Sequence, residues 1–267
     1  MNTLSDAEFG RFQRFIYDAA GITLSPAKKA LVCGRLSKRL AANRLSSYAE
    51  YHDLLSSGHA PEEVQTAVDL LTTNETYFFR EPKHFELLRS VARAAAAARS
   101  PSYRVWSAAS SSGEECYSMA MVLADCLPGT NWEVVGTDIS RRVLQRARAG
   151  HYPMERARNI PQPYLKRFCL RGMGEQEGTL LVERSLRQRV NFAQVNLNTE
   201  LPQLGTFDVI FLRNVMIYFN AETKRQVVAR VLSLLKPGGH FCIGHSESLN
   251  DISDAVVQLA PSIYRKP

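Results

Sequence analysis

The sequence lacks several features that are typical of secreted, membrane-spanning and zinc-binding proteins. Its five cysteines are dispersed and form no CxxC pair, which favours reduced thiols over disulfides or a zinc site. No apolar run approaches the roughly 18 residues that span a bilayer. Asp6 and Glu8 lie where a secretory signal would have its basic and apolar regions. We therefore expect a cytoplasmic protein without a metal cofactor.

Charge is abundant and uneven. The 267 residues have a formal net charge of +7, which favours an anionic partner such as nucleic acid, a membrane or an acidic protein surface. The segment 28–44 has helical spacing and no acidic residue, and its bases are Lys28, Lys29, Arg35, Lys38, Arg39 and Arg44. A basic docking face and an ordinary solvated helix face both fit this pattern.

The chain divides into two compositional parts. Residues 1–71 have helical periodicity and predict a small helical domain, followed by a connector over 72–81, TTNETYFFRE. The rest, 82–267, alternates strands and helices and predicts a mainly parallel, doubly wound α/β sheet. Strands are expected at 103–109, 132–138, 190–197, 207–212, 240–245 and 262–266. The glycine-rich stretch 170–190 predicts a small antiparallel β insertion, with a disordered loop as the alternative.

The most informative stretch is FDVIFLRNVMIYF, at 207–219. Its apolar run predicts a strand buried on both faces, and the run is interrupted by Arg213 and Asn214. A buried charge or amide has to be satisfied, and ligands of open α/β sheets bind just beyond the carboxyl ends of strands. The pair is therefore a site candidate, although a purely structural polar pair is also possible.

Two further strand ends carry chemistry. The turn SSSGEE, at 110–115, lacks the GxGxxG pattern of a dinucleotide pyrophosphate cradle. Its glutamates suit a cationic or hydroxyl-bearing ligand, or simply stabilise the helix dipole. Asp138 ends the second strand, where an acid commonly accepts hydrogen bonds from ribose hydroxyls. Together with the strand end at Asn196 and Leu197, these features predict an adenosine ligand without a diphosphate, such as S-adenosylmethionine (SAM).

Six motifs in order are TTNETYFFR, VWSAASSSGEECYS, VVGTDIS, VNFAQVNLN, FDVIFLRNVMIYF and GGHFCIGHSESL. Their combination resembles the chemotaxis receptor glutamate methyltransferases, over essentially the whole chain. The resemblance implies a SAM-dependent methyltransferase fold behind an all-α domain. It also implies methyl transfer from SAM to chemoreceptor glutamates, which yields methyl esters and S-adenosylhomocysteine (SAH) and needs no metal. Ser111-Ser112 and Cys116 depart slightly from the family's usual turn.

Site residues follow from the same resemblance. It implies cofactor contacts from Asn74, Thr76, Arg80, Glu114, Glu115, Asp138, Asn196, Leu197, Arg213 and Asn214. Arg80 suits the methionyl carboxylate, whereas Arg213 and Tyr218 are implied to lie beside the methyl group and the acceptor. Whether Arg213 holds the substrate or the cofactor stays open. A glutamate is ionised at neutral pH and needs no general base, so we interpret His245 as structural.

Partner surfaces are also implied. The resemblance gives the basic segment, with Lys28, Lys29, Arg35, Lys38 and Arg39, a role in steering toward acidic receptor helices. The Gly172-Met173-Gly174 turn of the β insertion implies docking of a receptor C-terminal peptide by strand addition. We expect a monomer that neither inserts into the membrane nor binds nucleic acid. A nucleic-acid methyltransferase is disfavoured because no Asp/Asn-Pro-Pro-aromatic motif follows the fourth strand, and a non-catalytic SAM-binding adaptor is the third alternative.

Overall fold

The computed structural model describes residues 3–267. Helices α1 to α4 come first, at Asp6–Ala20, Lys29–Ala42, Tyr48–Ser56 and Pro61–Leu71. α1 begins at a capping box, in which Ser5 and Glu8 satisfy each other's backbone N–H groups. It ends at Gly21, whose φ of +71° lies in the left-handed region. The later helices are α5 Pro82–Ala97, α6 Glu114–Cys126, α7 Arg141–Ala149, α8 Gln162–Phe168, α9 Arg184–Arg187 and α10 Ala221–Ser233.

Ten strands form two sheets within the described chain. They are β1 Ser102–Ser107, β2 Asn131–Asp138, β3 His151–Pro153, β4 Cys169–Arg171, β5 Thr179–Val182, β6 Val190–Gln194, β7 Phe207–Leu212, β8 Leu235–Ile243, β9 Val257–Ala260 and β10 Ile263–Arg265. The large sheet has the order β6-β2-β1-β7-β8-β10-β9. The first five strands are parallel to one another, β10 is antiparallel to β8, and β9 is antiparallel to β10. The chain winds outward from β1 in both directions, so a switch point lies between β1 and β7. The predicted fold class is confirmed.

Both faces of the large sheet are buried. Along β1, Val105 and Trp106 are fully buried and belong to different hydrophobic clusters. Along β7, Val209 and Ile210 alternate between the same two clusters, as the two-residue period of a strand requires. One cluster includes α5, α6 and the small sheet, and the other joins α10 to the apolar stripes of α1 to α4. The helical N-terminal part therefore packs onto the sheet through a shared apolar cluster.

Several boundaries differ from the prediction. β9 was not predicted, because its exposed four-residue stretch has no long apolar run. β8 starts at Leu235 and includes the KPGG stretch that was expected to lie between a helix and a strand. The small sheet has the order β3-β5-β4 and starts at His151, well before the predicted insertion. Residues 184–187, expected in the insertion, are helical. At Gly172 an added Cβ would lie 1.9 Å from the Gln176 carbonyl oxygen, so this turn accepts only glycine.

The basic segment is only partly the solvent-facing row that its spacing predicted. Lys29 donates to Asp6 over 2.7 Å, and Arg39 makes a two-pronged contact with Glu63 over 2.8 and 2.5 Å. Arg35 turns inward and donates to the backbone carbonyls of residues 71 and 72. The expectation that all these bases project outward is therefore wrong. The exposed bases of the segment are Lys28, Lys38 and Arg44. Among residues 3–267, no helix is long and apolar enough to cross a bilayer.

Candidate active site

A cavity lies at the carboxyl ends of β1, β2, β6 and β7. Open α/β sheets bind small molecules and cofactors in clefts at this place. The sequence-predicted residues that line it are Asn74, Thr76, Arg80, Glu115, Asp138, Asn196, Leu197, Arg213, Asn214 and Tyr218. The connector 72–76 and the end of α1 close it from the side opposite the sheet. The switch-point rule therefore located the cavity correctly.

Asp138 is the acid at the end of β2, and it is 7% exposed. Its two carboxylate oxygens accept from the backbone N–H groups of Ser111 and Ser140, each over 2.9 Å. Burial nevertheless raises the pKa of Asp138 from 3.8 to about 6, because desolvation outweighs those hydrogen bonds. Each oxygen retains acceptor capacity toward the cavity, which suits paired hydroxyl groups of a ligand.

Arg213 follows β7 and is held by protein groups on three sides. Its side chain is 1% exposed; Nη1 lies 3.0 Å from Glu115 Oε2, and Nη2 lies 3.2 Å from Glu81 Oε2. Nη2 also donates to the Arg80 carbonyl oxygen over 2.5 Å. Burial raises the pKa of Glu115, and the Arg213 charge opposes that rise. The guanidinium is thus neutralised by two carboxylates before any ligand binds.

Arg80 is the contrasting cation of the cavity. Its guanidinium donates to the Glu75 carbonyl oxygen over 3.1 Å and lies 5.7 Å from the centre of the Tyr77 ring. Within residues 3–267 it makes no ion pair with a carboxylate, unlike Arg213. A positive charge that lines a cavity without an acidic partner suits an anionic group of a ligand.

The turn that carries Asn214 is fixed by two glutamates. Asn214 has a φ of +55°, which is strained for a residue other than glycine. Its backbone N–H donates to Glu247 Oε2 over 2.9 Å, and that oxygen also accepts from the Gly244 N–H over 2.6 Å. The Asn214 side-chain amide lies 3.3 Å from Glu81 Oε1. The SES part of the predicted GHSES motif therefore supplies a positioning carboxylate, which the sequence did not indicate.

The N-terminal helices contribute to the opposite wall. Asn196 Nδ2 donates to the Ala19 carbonyl oxygen over 2.7 Å, and the Thr23 N–H donates to the Tyr218 carbonyl oxygen over 2.8 Å. These bonds place Ala20 and Ile22 against the cavity. Neither residue was a sequence candidate, because only the packing of α1 on the sheet brings it there. Other lining residues that were not site candidates are Thr72, Thr73, Glu75, Ala108, Ala109, Ser111, Ile139, Val195, Val215 and Phe219.

Glu114 does not line the cavity. It is fully buried on the far side of the turn, where it accepts from Ser112 over 2.7 Å and pairs with Arg156 over 2.8 Å. Arg156 also donates to the Thr76 carbonyl oxygen over 2.7 Å. The structure therefore places Glu114 behind the connector loop, contrary to its expected cofactor contact. Arg156 is a supporting residue that no sequence pattern indicated.

The connector is joined to the β1–α6 turn at a second point. Ser111 has a φ of +48°, and its hydroxyl donates to the Asn74 carbonyl oxygen over 2.9 Å. Asn74 and Thr76 are thus held through their backbone carbonyl oxygens, and the Asn74 side-chain amide also donates to the Thr72 hydroxyl over 3.2 Å. Both residues line the cavity. The predicted docking residues Lys28, Lys38, Gly172 and Gly174 lie away from it.

The comparisons with known proteins agree with this geometry. Residues 7–72 match the model described as "CheR methyltransferase, all-alpha domain", and residues 74–264 match "CheR methyltransferase, SAM binding domain". The chain is 43% identical to the chemotaxis protein methyltransferase of Escherichia coli, over 98% of this chain and 91% of that protein. It is 42% identical to chemotaxis protein methyltransferase 2 of Pseudomonas aeruginosa, over 96% and 92%. The chain therefore belongs to the CheR methyltransferase family and is a SAM-dependent methyltransferase.

Proposed function

We propose that this enzyme methylates glutamate side chains of chemoreceptors and forms glutamate methyl esters and SAH. The relatives' names, chemotaxis protein methyltransferase, indicate the pathway. The observation that carries the proposal is the cavity at the strand switch point, which is lined by both Asp138 and Arg80, a cation that forms no ion pair within residues 3–267. These two groups complement a ribose and an amino-acid carboxylate, and the turn at 110–115 lacks the GxGxxG pattern of a diphosphate cradle.

Each wall has a part in this proposal. Asp138 accepts hydrogen bonds from the ribose hydroxyls, and Asn196 and Leu197 lie against the adenine. Arg80 binds the methionyl carboxylate, and Glu115 faces the neighbouring ammonium group. Asn74 and Thr76 complete the connector side. Arg213, Asn214 and Tyr218 form the wall beside the acceptor.

The chemistry needs orientation more than proton transfer. When bound, SAM would supply a sulfonium methyl group for a carboxylate oxygen of the acceptor, and the electron pair of the broken S–C bond would stay on sulfur to give SAH. The acceptor glutamate is already ionised at neutral pH, so the site needs no general base. The two reactants carry opposite charges that cancel during transfer, and the protein's task is to align them and exclude water. Because Arg213 already pairs with two carboxylates, we infer that it positions the groups of the site and does not bind the substrate carboxylate.

A direct assay tests the activity. The purified protein is incubated with methyl-labelled SAM and membranes that contain a chemoreceptor. We expect alkali-labile label on the receptor, because methyl esters hydrolyse in base, and none on DNA or RNA in parallel reactions. Label that survives alkali, or transfer to nucleic acid alone, would contradict the proposal. Binding of SAH with no transfer to any receptor would favour an adaptor instead.

We also propose two receptor contacts. Lys28 and Lys38 lie exposed on and beside α2 and would steer the enzyme toward an acidic helical surface, with an effect that weakens in salt. The edge strand β4 would add a peptide strand, since Leu170 is 54% exposed and Met173 is 82% exposed beside it. The protein would act as a cytoplasmic monomer, with residues 1–71, 72–81 and 82–267 as helical domain, cofactor linker and methyltransferase domain.

Peptide titrations test the β4 contact. Receptor C-terminal peptides are titrated into the protein with and without SAH, and Leu170→Glu is expected to abolish saturable binding. Leu259→Glu is the matched control, because Leu259 is equally exposed (53%) on β9, the edge strand of the large sheet. Equal losses in both variants would count against β4 as the docking edge.

A further inference from the structure

Three side chains with metal-ligating atoms meet beside the cavity without lining it. Glu81 ends the connector, His84 lies in the first turn of α5, and His245 follows β8. Their ligating atoms all lie within 4.8 Å of one another. Glu81 Oε2 is 3.4 Å from His84 Nδ1 and 3.8 Å from His245 Nε2. Three separate segments of the fold thus bring two imidazoles and a carboxylate to one point.

The hydrogen bonds of His84 determine which of its nitrogens is a lone-pair donor. The Ser262 hydroxyl has one proton and donates it to the Pro261 carbonyl oxygen over 2.6 Å. If Ser262 keeps that bond, its oxygen accepts from His84 Nε2, which lies 2.8 Å away. Nε2 then carries the ring proton, and Nδ1 presents a lone pair toward Glu81. Metal-bound histidines are oriented in the same way, because the ring nitrogen that does not bind the metal usually donates to a polar partner.

The two facing atoms are left unsatisfied. His84 is fully buried, and within the described chain neither His84 Nδ1 nor Glu81 Oε2 has a hydrogen-bond partner. Arg213 Nη2 lies 3.2 Å from Glu81 Oε2, as an ion pair without hydrogen-bond geometry. In this tautomer, two buried acceptors lie 3.4 Å apart and repel each other, which costs free energy unless a proton or a metal cation lies between them.

We propose that Glu81, His84 and His245 bind a divalent transition-metal ion such as Zn²⁺. In a tetrahedral zinc site with bonds of about 2.0–2.1 Å, neighbouring ligand atoms are about 3.3–3.4 Å apart. The Glu81–His84 pair already has this spacing. The His245 side chain is half-exposed and approaches by rotating, which leaves the fourth position open to water.

The donor set determines which ions compete. Two imidazole nitrogens favour Zn²⁺, Co²⁺ and Ni²⁺ over Mg²⁺ and Ca²⁺, which prefer oxygen ligands. The Arg213 charge beside Glu81 opposes metal binding, although Glu115 lies 3.0 Å from Arg213 Nη1 and offsets it. An ion at this point would join three segments, namely the end of the 72–81 connector, α5 and the loop after β8. It would lie next to Glu81, the residue that pairs with Arg213.

Metal titration of the full-length protein tests the proposal. The protein is stripped with a chelator and dialysed, then titrated with Co²⁺, whose visible absorption reports tetrahedral coordination, and with Zn²⁺ by calorimetry. The variants are His245→Ala, which removes a half-exposed ligand, and Glu81→Gln, which removes the charge and keeps the shape. His59→Ala is the matched control, because His59 is an exposed histidine outside the cluster. Circular dichroism establishes that each variant is folded.

Wild type and His59→Ala are expected to bind one ion with a tetrahedral Co²⁺ spectrum, which Mg²⁺ in excess does not displace. His245→Ala should weaken binding by about 10–100-fold or more, and Glu81→Gln should do the same. Equal affinity in wild type and His245→Ala would overturn the assignment, as would the absence of saturable binding to wild type. Since binding itself is measured, the result is independent of methyl transfer.

Discussion

The proposed contact between Asp138 and the cofactor ribose predicts how the cofactor affinity depends on pH. Its pKa is about 6 because burial disfavours the charged carboxylate. With that value, about 97% of Asp138 is ionised at pH 7.5 and about 9% at pH 5. Only the ionised carboxylate accepts hydrogen bonds from two hydroxyls with both oxygens. The affinity for SAH should therefore fall about tenfold between these pH values, which corresponds to about 1.4 kcal/mol.

Calorimetric titration with SAH across pH 5 to 8 measures this effect. The midpoint of the change should lie near pH 6 in wild type. In Asp138→Asn the affinity should be lower at pH 7.5 and nearly independent of pH, because an amide does not titrate. Asp53→Asn is the control, since Asp53 is exposed on α3, away from the cavity.

Two results would refute this reasoning about Asp138. One is a wild-type affinity that stays constant from pH 5 to 7.5, which would mean that the carboxylate does not titrate there or does not contact the ligand. The other is an equal pH slope in Asp138→Asn, which would assign the slope to the ligand or to another group. Either outcome would remove Asp138 from the ribose site.

Four further changes have definite expectations. Arg80→Gln should weaken SAH binding by about 1.5–3 kcal/mol in calorimetry, the usual loss for a charge-assisted hydrogen bond; an unchanged affinity would place the ligand carboxylate elsewhere. Arg156→Gln leaves Glu114 buried without its ion-pair partner. The free energy of unfolding, measured in urea, should fall by about 2–3 kcal/mol. This loss is smaller than for a fully buried ion pair, because the Arg156 side chain is 39% exposed. Gly21→Ala should lower the free energy of unfolding by about 1–3 kcal/mol in the same urea assay, because φ of Gly21 is +71° and the new Cβ would lie 2.8 Å from neighbouring side chains. Arg213→Met should abolish methyl transfer. It should also raise the affinity for SAM, which carries a sulfonium charge, relative to SAH, because two carboxylates would lose their counter-charge. An unchanged ratio of the SAM and SAH affinities would contradict this role of Arg213.

The parts of the fold that local signals encode were predictable. Apolar runs located the strands at 132–138 and 207–212. Ser140 and Asn220, residue types that favour the N-cap position, cap the helices α7 and α10. Asp138 and Arg213 were found because a polar residue at the end of a buried strand stands out in the sequence. Parallel topology then brings such strand ends to one edge of the sheet, without any knowledge of the loops.

Features that depend on tertiary packing were not predictable. The helical spacing of α2 gave no sign that Arg39 would pair with Glu63 on α4, or that Arg35 would turn toward the connector. Glu114 and Glu115 are neighbours in a helix, and only their packing shows that Glu115 lies toward the cavity and Glu114 away from it. Ile22 lines the cavity solely because α1 packs across the sheet.

The different proposed roles of Arg213 and Arg80 follow from the charges around each guanidinium. A buried guanidinium needs carboxylate partners, and Arg213 has Glu81 and Glu115 within 3.2 Å. Without Arg213, these two negative charges would stabilise the sulfonium reactant and repel an incoming carboxylate, and both effects would slow transfer. In the proposed site, Arg213 would therefore cancel one of these two negative charges beside the reacting groups. Arg80 forms no ion pair within residues 3–267, so in the same proposal its charge would serve the cofactor's own carboxylate.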